Sequence, residues 1–152
     1  MGAWADLCIA SFLGAVDALE CAQRTATTRA NLRRVAWPDA IDTALEVEIE
    51  TRRGEDAPVH RTIIWAVVDD GDVFVRSLRG ANGRWYRELM SDPTAVLHAQ
   101  DEEFPVQAVQ ASDPDSVERT SEALRRKYSD SRALASMLED DILDTTIRLE
   151  PR

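Results

Sequence analysis

The sequence predicts an α+β domain in which six short antiparallel strands form a small barrel, with helices inserted between the later strands. Three observations support this fold class. Six short runs of alternating or continuous apolar residues lie between positions 45 and 150. Turn signals separate the runs, and helical spacing is confined to the segments between them. With 152 residues, 44% of them hydrophobic, the chain is long enough for one self-sufficient core.

The charge balance is acidic, since 28 Asp and Glu against 18 Lys and Arg give a net charge of -10. This balance excludes a generally basic nucleic-acid-binding surface, so we expect no nucleic-acid partner. The longest uncharged N-terminal run, Leu7–Val16, is far shorter than the roughly 20 residues of a membrane span, and it follows Asp6 instead of a basic stretch. Cys8 and Cys21 are too few for a disulfide scaffold. We therefore expect a cytoplasmic protein without a membrane segment.

Residues 1–34 form a predicted extension ahead of a domain at residues 35–152. Residues 3–22 have the spacing of an amphipathic helix, with Trp4, Phe12 and Leu19 on one face. The Thr- and Arg-rich stretch 25–34 lacks an apolar stripe and predicts a linker. We expect this extra N-terminal helix to pack on the domain or on a partner subunit.

The first predicted strands differ in their hydrophobic pattern. Leu45–Thr51 alternates Leu, Val and Ile with Glu, so one face is buried and the other is wet. Thr62–Val68 is continuously apolar and β-branched, which is typical of a central strand covered on both faces. Asp69–Asp72 contains Asp-Gly and predicts a two-residue turn into the strand Val73–Leu78.

The rest of the chain predicts a short helix, a hairpin, two flanking helices and a closing strand. In order these are a helix at 84–90, strands Thr94–Gln100 and Phe104–Ala111 around a turn at 101–103, a helix starting at Asp113-Pro114, a helix at 131–139 and the strand Thr145–Glu150.

A cluster of arginines departs from the acidic average. Residues 73–87 hold a local charge of +4 and no acid, from Arg76, Arg79, Arg84 and Arg87. Like charges this close repel each other, so we expect a compensating anion.

The predicted geometry around this cluster suits an anion. Gly80 and Gly83 let the backbone approach a ligand, and a helix start offers unpaired N–H groups. Arginine forks and the Ser77 hydroxyl are donors for phosphate oxygens. Two interpretations remain open: a phosphate- or carboxylate-binding corner, or a solvated basic loop that pairs with the acidic outer face of Leu45–Thr51.

Several of these segments resemble a known family. Ile64–Val68, Val73–Gly80 and Gly83–Arg87, with later matches at Arg126–Tyr128 and Thr145–Leu149, resemble small bacterial proteins related to the deazaflavin-dependent nitroreductase-type oxidoreductases. The resemblance covers roughly residues 37–152. It implies a six-stranded antiparallel split β-barrel, FMN-binding-like and of the pyridoxamine-phosphate-oxidase type, with flanking helices.

The resemblance also implies a cofactor, FMN or a deazaflavin coenzyme, bound near a homodimer interface. It places a set of residues at the cofactor corner: Arg76, Ser77, Arg79, Gly80, Arg84 and Trp85. Arg61 would face the same phosphate, and Lys127 would be a weaker member. The chain departs from the characterised deazaflavin enzymes at Arg52–Asp56, where they carry Gly-Arg-x-Ser-Gly.

The remaining candidates favour structural roles. His98 lies in a strand among apolar residues, and His60 is expected in a loop. No His/Cys cluster has metal-ligand spacing, so we expect no metal site. Trp65 and Tyr128 could meet a flat ring, but core packing is the preferred interpretation for both.

Three functional hypotheses follow. The first is a flavin- or deazaflavin-dependent oxidoreductase that transfers a hydride to a small organic substrate, with no catalytic side chain assigned. The second is a non-catalytic binding protein for an anionic or phosphorylated small molecule. The third is a structural dimer without a ligand.

Overall fold

The structure, a computed structural model, describes residues 37–152. The helix and linker predicted at residues 1–34 lie outside the described residues. Those that are described form a single unit, Trp37–Arg152.

The described chain contains seven strands and four α-helices. In order, they are α1 (37–43), β1 (Val47–Thr51), β2 (His60–Ile64), β3 (Ala66–Asp69), β4 (Asp72–Arg76), α2 (Arg84–Ser91), β5 (Thr94–Ala99), β6 (Glu102–Gln110), α3 (Pro114–Lys127), α4 (Leu134–Met137) and β7 (Thr146–Pro151), with 3₁₀ turns at Gly80–Asn82 and Asp140–Thr145.

All seven strands form one antiparallel sheet in the order β2-β1-β5-β6-β7-β4-β3. The last strand, β7, lies inside the sheet between β6 and β4. It pairs Leu149 with both Ala108 and Val73, so it joins the β2-β1-β5-β6 half to the β4-β3 half.

The prediction of one central strand at Thr62–Val68 is wrong. Trp65 divides this run into β2, which pairs only with β1, and β3, which pairs only with β4. The two opposite edges of the sheet are therefore one residue apart in the chain, and the sheet must curl to bring them together. The split also explains why seven strands are found where six are predicted.

Contrary to the prediction, the apolar run Thr62–Val68 is not covered on both faces. Ile64, Ala66 and Val67 are buried, but Ile63 is 61% exposed, so the strand is not covered on both faces. A continuous apolar run cannot show by itself where its residues change sides.

One predicted hairpin turn is found where expected, and the other lies at different residues. At the β3–β4 turn, Asp70 (φ 49°) and Gly71 (φ 82°) take the predicted left-handed conformation. The β5–β6 turn uses Gln100 and Asp101, both at positive φ, instead of 101–103, because Ala99 already pairs with Glu102.

Some helices and strands begin or end at residues other than the predicted ones, because the pattern of apolar side chains is a weak marker of where an element ends. β1 begins at Val47, and Leu45, predicted to face inward, is 70% exposed. Asp113 caps α3 as predicted, accepting a hydrogen bond from the Ser116 N–H at 2.9 Å. The helix predicted at 131–139 is confined to Leu134–Met137.

The core occupies both faces of the sheet. Val73 and Val75 belong to the main cluster, which also contains residues of α1 and α2. Phe74, between them, belongs to a second cluster beneath α3. This alternation is what a strand buried on both faces requires.

α3 is fastened to the β3–β4 hairpin by charged groups. Arg119 donates to the Asp69 carboxylate at 2.7 Å and to the Asp72 carboxylate at 3.1 Å. Its guanidinium also lies 5.2 Å from the centre of the Phe74 ring. Within residues 37–152, no helix has the length and apolar character to span a membrane.

Candidate functional site

A cavity of about 650 Å³ opens beside Trp65, where the two edges of the sheet meet; we call it the Trp65 cavity. Its lining comes from the start of β1 and from β2, from the β4–α2 connection and from α4: Glu46, residues 62–65, 76–79 and 83–85, Ala133 and Met137. Its volume lies within the roughly 300–1,000 Å³ that small-molecule sites occupy.

Strand register explains why opposite charges line different walls. Val47 pairs with Ile64 on one ladder, and Ala66 pairs with Val75 on the other. Extending each register by one residue sets Glu46 across from Trp65 on one side and Arg76 across from it on the other. The topology thus gives one wall an acid and the other wall a base.

Arg76 is a buried cation whose described partners are all uncharged. Its Nε donates to Thr146 Oγ1 at 2.9 Å, its Nη1 to Ser121 Oγ and the Met137 carbonyl, and its Nη2 to the Val117 carbonyl. The residue is 2% exposed, and burial lowers the pKa of Arg76 to about 10. Arg76 is therefore still protonated at neutral pH, and an anion in the cavity would offset its charge.

Ser77 supplies a buried hydroxyl next to this cation. Among the residues that the structure describes, its Oγ is the one buried side-chain polar atom without a hydrogen-bond partner. A Cβ added at Gly83 would overlap that Oγ, so any larger residue there would force the hydroxyl to move. The Ser77 hydroxyl thus packs against Gly83, which lines the cavity, and its O–H donates no hydrogen bond within the described chain.

Two exposed arginines complete the basic wall. Arg79 and Arg84 line the cavity, and Arg84 is the first residue of α2. The Gly83 cap gives α2 no side-chain acceptor, and its first turn contains no acid. Its N–H groups and its positive dipole end thus stand beside the guanidiniums. Trp85, the next residue after Arg84, also lines the cavity and is 6% exposed.

Gly80 shapes the loop from behind the lining. Its φ of +55° favours glycine, and an added Cβ would lie 3.3 Å from Ile142 Cγ2. The loop bonds Gly80 N–H to the Ser77 carbonyl at 2.9 Å and Gly83 N–H to the Gly80 carbonyl at 3.2 Å. Gly80 therefore bends the chain between Ser77 and α2 without lining the cavity.

Arg61 and Lys127 are not brought to this cavity. Arg61 lies on β2 and donates to the Glu50 carboxylate at 2.9 Å, with Glu48 at 3.9 Å. The Lys127 ammonium donates to the carbonyls of Ile41 and Ala66, each at 2.8 Å, and burial lowers the pKa of Lys127. The first is held on the outer face of the sheet, and the second is used to tie α1 and β3 to α3.

The two open interpretations of the basic loop predict different partners for the glutamates of β1. A solvated basic loop would pair with those glutamates, whereas an anion-binding corner would not. Glu50 pairs with Arg61 and His98, and Glu48 with Arg61. Within the described chain, neither Arg79 nor Arg84 forms an ion pair. Three guanidiniums and the Glu46 carboxylate leave the cavity lining with a net charge of +2.

Trp65 presents a ring to the cavity from a rigid support. Its ring stacks on that of Tyr128 with centroids 4.0 Å apart and planes inclined by 5°. The Tyr128 hydroxyl donates to the Leu45 carbonyl at 2.7 Å, and burial raises the pKa of Tyr128. Tyr128 has the predicted structural role, whereas Trp65 is half-buried and lines the cavity.

The two histidines are both held by carboxylates. His60 Nδ1 lies 2.8 Å from Glu88, a carboxylate that is 3% exposed and also accepts from Thr51 at 2.7 Å. His98 Nε2 lies 3.1 Å from Glu50. In the region from residue 37 onward, no group of three His, Cys, Asp or Glu side chains is placed to hold a metal ion.

A family model matches residues 39–149, which is most of the chain. The chain belongs to the bacterial family DUF2255. The family's description is "uncharacterized protein conserved in bacteria". A search of curated proteins gave no match.

Several solved structures share the fold of this chain. An F420-H2-dependent reductase aligns at 15% identity and a TM-score of 0.57, over 70% of this chain and 94% of that one. A conserved hypothetical protein from Mycobacterium tuberculosis aligns at 17% identity and 0.55, over 76% of each chain. A heme-binding protein from Mycobacterium smegmatis aligns at 13% identity and 0.57, over 77% of this chain and 51% of that one. These similarities confirm the curled antiparallel fold.

The arginines of the basic wall were predicted from the sequence, but three other lining residues were not: Glu46, Ile63 and Leu78. Ile63 and Leu78 are 61% and 54% exposed. The only signal in the sequence is a pair of adjacent apolar residues in a strand, Ile63 and Ile64, of which one must face outward. The sequence does not show which of the two is exposed.

Proposed function

We propose that the chain binds a flavin-type cofactor, FMN or a deazaflavin coenzyme, in the Trp65 cavity and acts as an oxidoreductase. A small organic substrate would receive the hydride. The observation that supports it is one cavity lined by a buried arginine, a serine whose hydroxyl has no partner and two exposed arginines.

The residues present fit the anionic tail of such a cofactor. Arg79 and Arg84 provide forked donors, and Ser77 provides the hydroxyl that lacks a partner. The net charge of +2 on the lining matches a phosphate monoester dianion. Gly83 lies against the Ser77 hydroxyl, so a side chain at this position would displace that donor.

The rest of the lining fits a ring system. Ile63, Leu78 and Met137 are apolar, and Trp65 and Trp85 are planar. The cofactor ring would supply the hydride chemistry when bound, and the chain's own residues would hold the tail, orient the ring and exclude water. The similarity in fold to an F420-H2-dependent reductase supports this choice of cofactor class.

A non-catalytic carrier of an anionic small molecule is the second candidate. Among the described residues that line the cavity, there is no histidine, cysteine or tyrosine, and the single carboxylate is Glu46. Binding alone accounts for such a lining. Reduction of nitroaromatic and quinone acceptors by the bound reduced cofactor would separate the enzyme from the carrier. The homodimer and the cytoplasmic location also stay predictions.

The first test titrates the protein with FMN and with a deazaflavin coenzyme and follows visible absorbance. We expect saturable binding that Arg79→Ala and Arg84→Ala each weaken by about tenfold or more, because each loses a hydrogen bond to a charged group. The loss should shrink at high salt, since both arginines are exposed.

Arg87→Ala is the matched control. Arg87 is also an exposed arginine of α2, three residues after Arg84, but it does not line the cavity. We expect its binding constant to stay within about twofold of the wild type. If Arg84→Ala and Arg87→Ala weaken cofactor binding equally, the binding is general charge attraction and not a specific site. If the wild type binds neither cofactor, the proposal is refuted.

A further inference from the structure

The Trp65–Tyr128 pair is held by hydrogen bonds as well as by ring stacking. The near-parallel rings place Tyr128 over one face of the indole. Tyr128 is 6% exposed, and its hydroxyl is anchored to the Leu45 carbonyl. The next residue back, Lys127, bonds the carbonyl of Ala66, which directly follows Trp65. The end of α3 thus holds both the indole and its backbone.

Tyr128 covers one face of the indole, so a planar ligand in the cavity could stack only on the other face. Trp65 lines the cavity and is half-buried, and one of its faces is covered by Tyr128. A flat surface held in place beside apolar walls is what a planar heteroaromatic ring stacks on, because the ring loses little freedom that the protein has not already fixed.

We propose that the ring of the bound ligand stacks on the face of Trp65 opposite Tyr128, so that three rings lie in one stack with Trp65 in the middle. The inference rests on the proposed function, since it assumes a ligand with a planar ring and an anionic tail. Trp65 is then a ligand-contacting residue, and Tyr128 is a positioning residue that acts through it. Trp65 also shields one face of the ring from water and substrate.

Placement of the tail fits this stack. Arg76 and Glu46 flank Trp65 by register, and Arg79 and Arg84 continue the basic wall away from it. A ring on Trp65 would therefore leave its tail to the arginines, and the Glu46 carboxylate would lie on the other side of the ring.

The test compares three probes: riboflavin, which has the ring without the phosphate, FMN, which has both, and inorganic phosphate. Trp65→Leu should weaken riboflavin and FMN by about tenfold or more and leave phosphate binding unchanged. Trp65→Phe keeps a smaller ring and should weaken both flavins by less. Ligand-induced quenching of tryptophan fluorescence should be smaller in Trp65→Leu than in the wild type, and the remainder should come from Trp85 in the same lining.

Tyr128 is tested by a conservative pair. Tyr128→Leu removes the supporting ring and should weaken both flavins several-fold, with phosphate binding unchanged. Tyr128→Phe keeps the ring, loses the bond to Leu45 and should restore flavin binding to within about twofold of the wild type. A purely structural role would weaken all three probes together. Unchanged phosphate binding also shows that each variant is folded.

The alternative outcomes are distinct. Flavin affinities within twofold of the wild type in Trp65→Leu, with Arg84→Ala still weak, would overturn the stack and leave the proposed function standing. Binding of FMN no tighter than phosphate would overturn the stack and leave only an anion site. If the deazaflavin coenzyme binds and FMN does not, the comparison uses that coenzyme and its phosphate-free form. A wild type that binds neither cofactor refutes both proposals.

Discussion

Ser77 is the residue at which stability and binding are opposed. A buried hydroxyl without a partner costs about 1–3 kcal/mol relative to a satisfied one. The described chain leaves this donor unused beside a buried arginine, and it does so at the cavity lining and not in the core. Such a side chain is expected where a ligand supplies the missing acceptor.

A two-residue cycle tests how Ser77 and Gly83 are coupled. Gly83→Ala should lower the free energy of unfolding by about 1–3 kcal/mol, because its Cβ would overlap Ser77 Oγ. Ser77→Ala removes that oxygen, after which the nearest atoms to the new Cβ lie at 3.4 and 3.6 Å. Urea unfolding should therefore show Gly83→Ala rescued in the double variant.

The single Ser77→Ala variant completes the cycle. It should be as stable as the wild type or more so, and it should bind FMN or the deazaflavin coenzyme less tightly. A clear loss of stability in Ser77→Ala would mean that its hydroxyl has a partner in solution. Simple additivity of the two substitutions would contradict the steric account.

The sequence identified the chemistry of the arginines but not their surroundings. The absence of acids across residues 73–87 predicted a basic wall, and Arg76, Arg79 and Arg84 are found together in one lining. Composition could not separate the buried Arg76 from the exposed pair, because burial depends on α3, α4 and β7, which contact Arg76 from 41 to 70 residues away.

At the scale of elements, α3 and the β3–β4 hairpin depend on Asp69. The hydrogen bond from Arg119, assisted by Arg126, holds the pKa of Asp69 below its ordinary value. The folded state therefore favours the carboxylate. The stabilisation is complete above the unfolded value near 3.9 and is lost as the pH falls through the lower value of the folded state.

Asp69→Asn tests this clamp. It should lower the free energy of unfolding at pH 7 by about 1–2 kcal/mol, because the hydrogen bonds from Arg119 and Arg126 lose a charged acceptor. As the pH falls below the unfolded value of about 3.9, the difference in stability from the wild type should narrow. Urea midpoints between pH 2.5 and 7 measure both effects. Asp70→Asn is the control, since Asp70 is exposed at the turn and Asn accepts its positive φ.

Element-level prediction succeeded where the signal is local and failed where it depends on distant partners. The Asp70-Gly71 turn and the Asp113 cap are each determined by a few neighbouring residues. The break at Trp65 is not. Nothing within Thr62–Val68 marks it, because it results from β1 and β4 pairing with the two halves at opposite edges.

At the scale of the whole molecule, β7 makes one sheet out of two pieces. β7 is the pairing partner of both β6 and β4. Without residues 146–152 the β4–β3 hairpin would have no strand linking it to the rest, and Arg76 would lose the Thr146 hydroxyl. The cavity between the two edges of the sheet would then lose its basic wall.

Truncation before Thr146 should abolish cooperative unfolding. We expect the shortened chain to lose its near-ultraviolet circular dichroism and its sigmoidal urea transition. A chain lacking only Arg152, which loses one bond to the Pro105 carbonyl, should keep both. A cooperative transition in the truncated chain would show that the β2-β1-β5-β6 half folds alone.

The position of β7 also has a consequence for protein synthesis. β7 is the last strand of the sheet to be synthesised and lies in its interior, so a nascent chain cannot complete its hydrogen-bonded ladders while residues 146–151 are still inside the ribosomal tunnel. Folding is therefore expected to finish only after β7 has emerged, and the unfinished sheet edges of β4 and β6 would be open to chaperones until then.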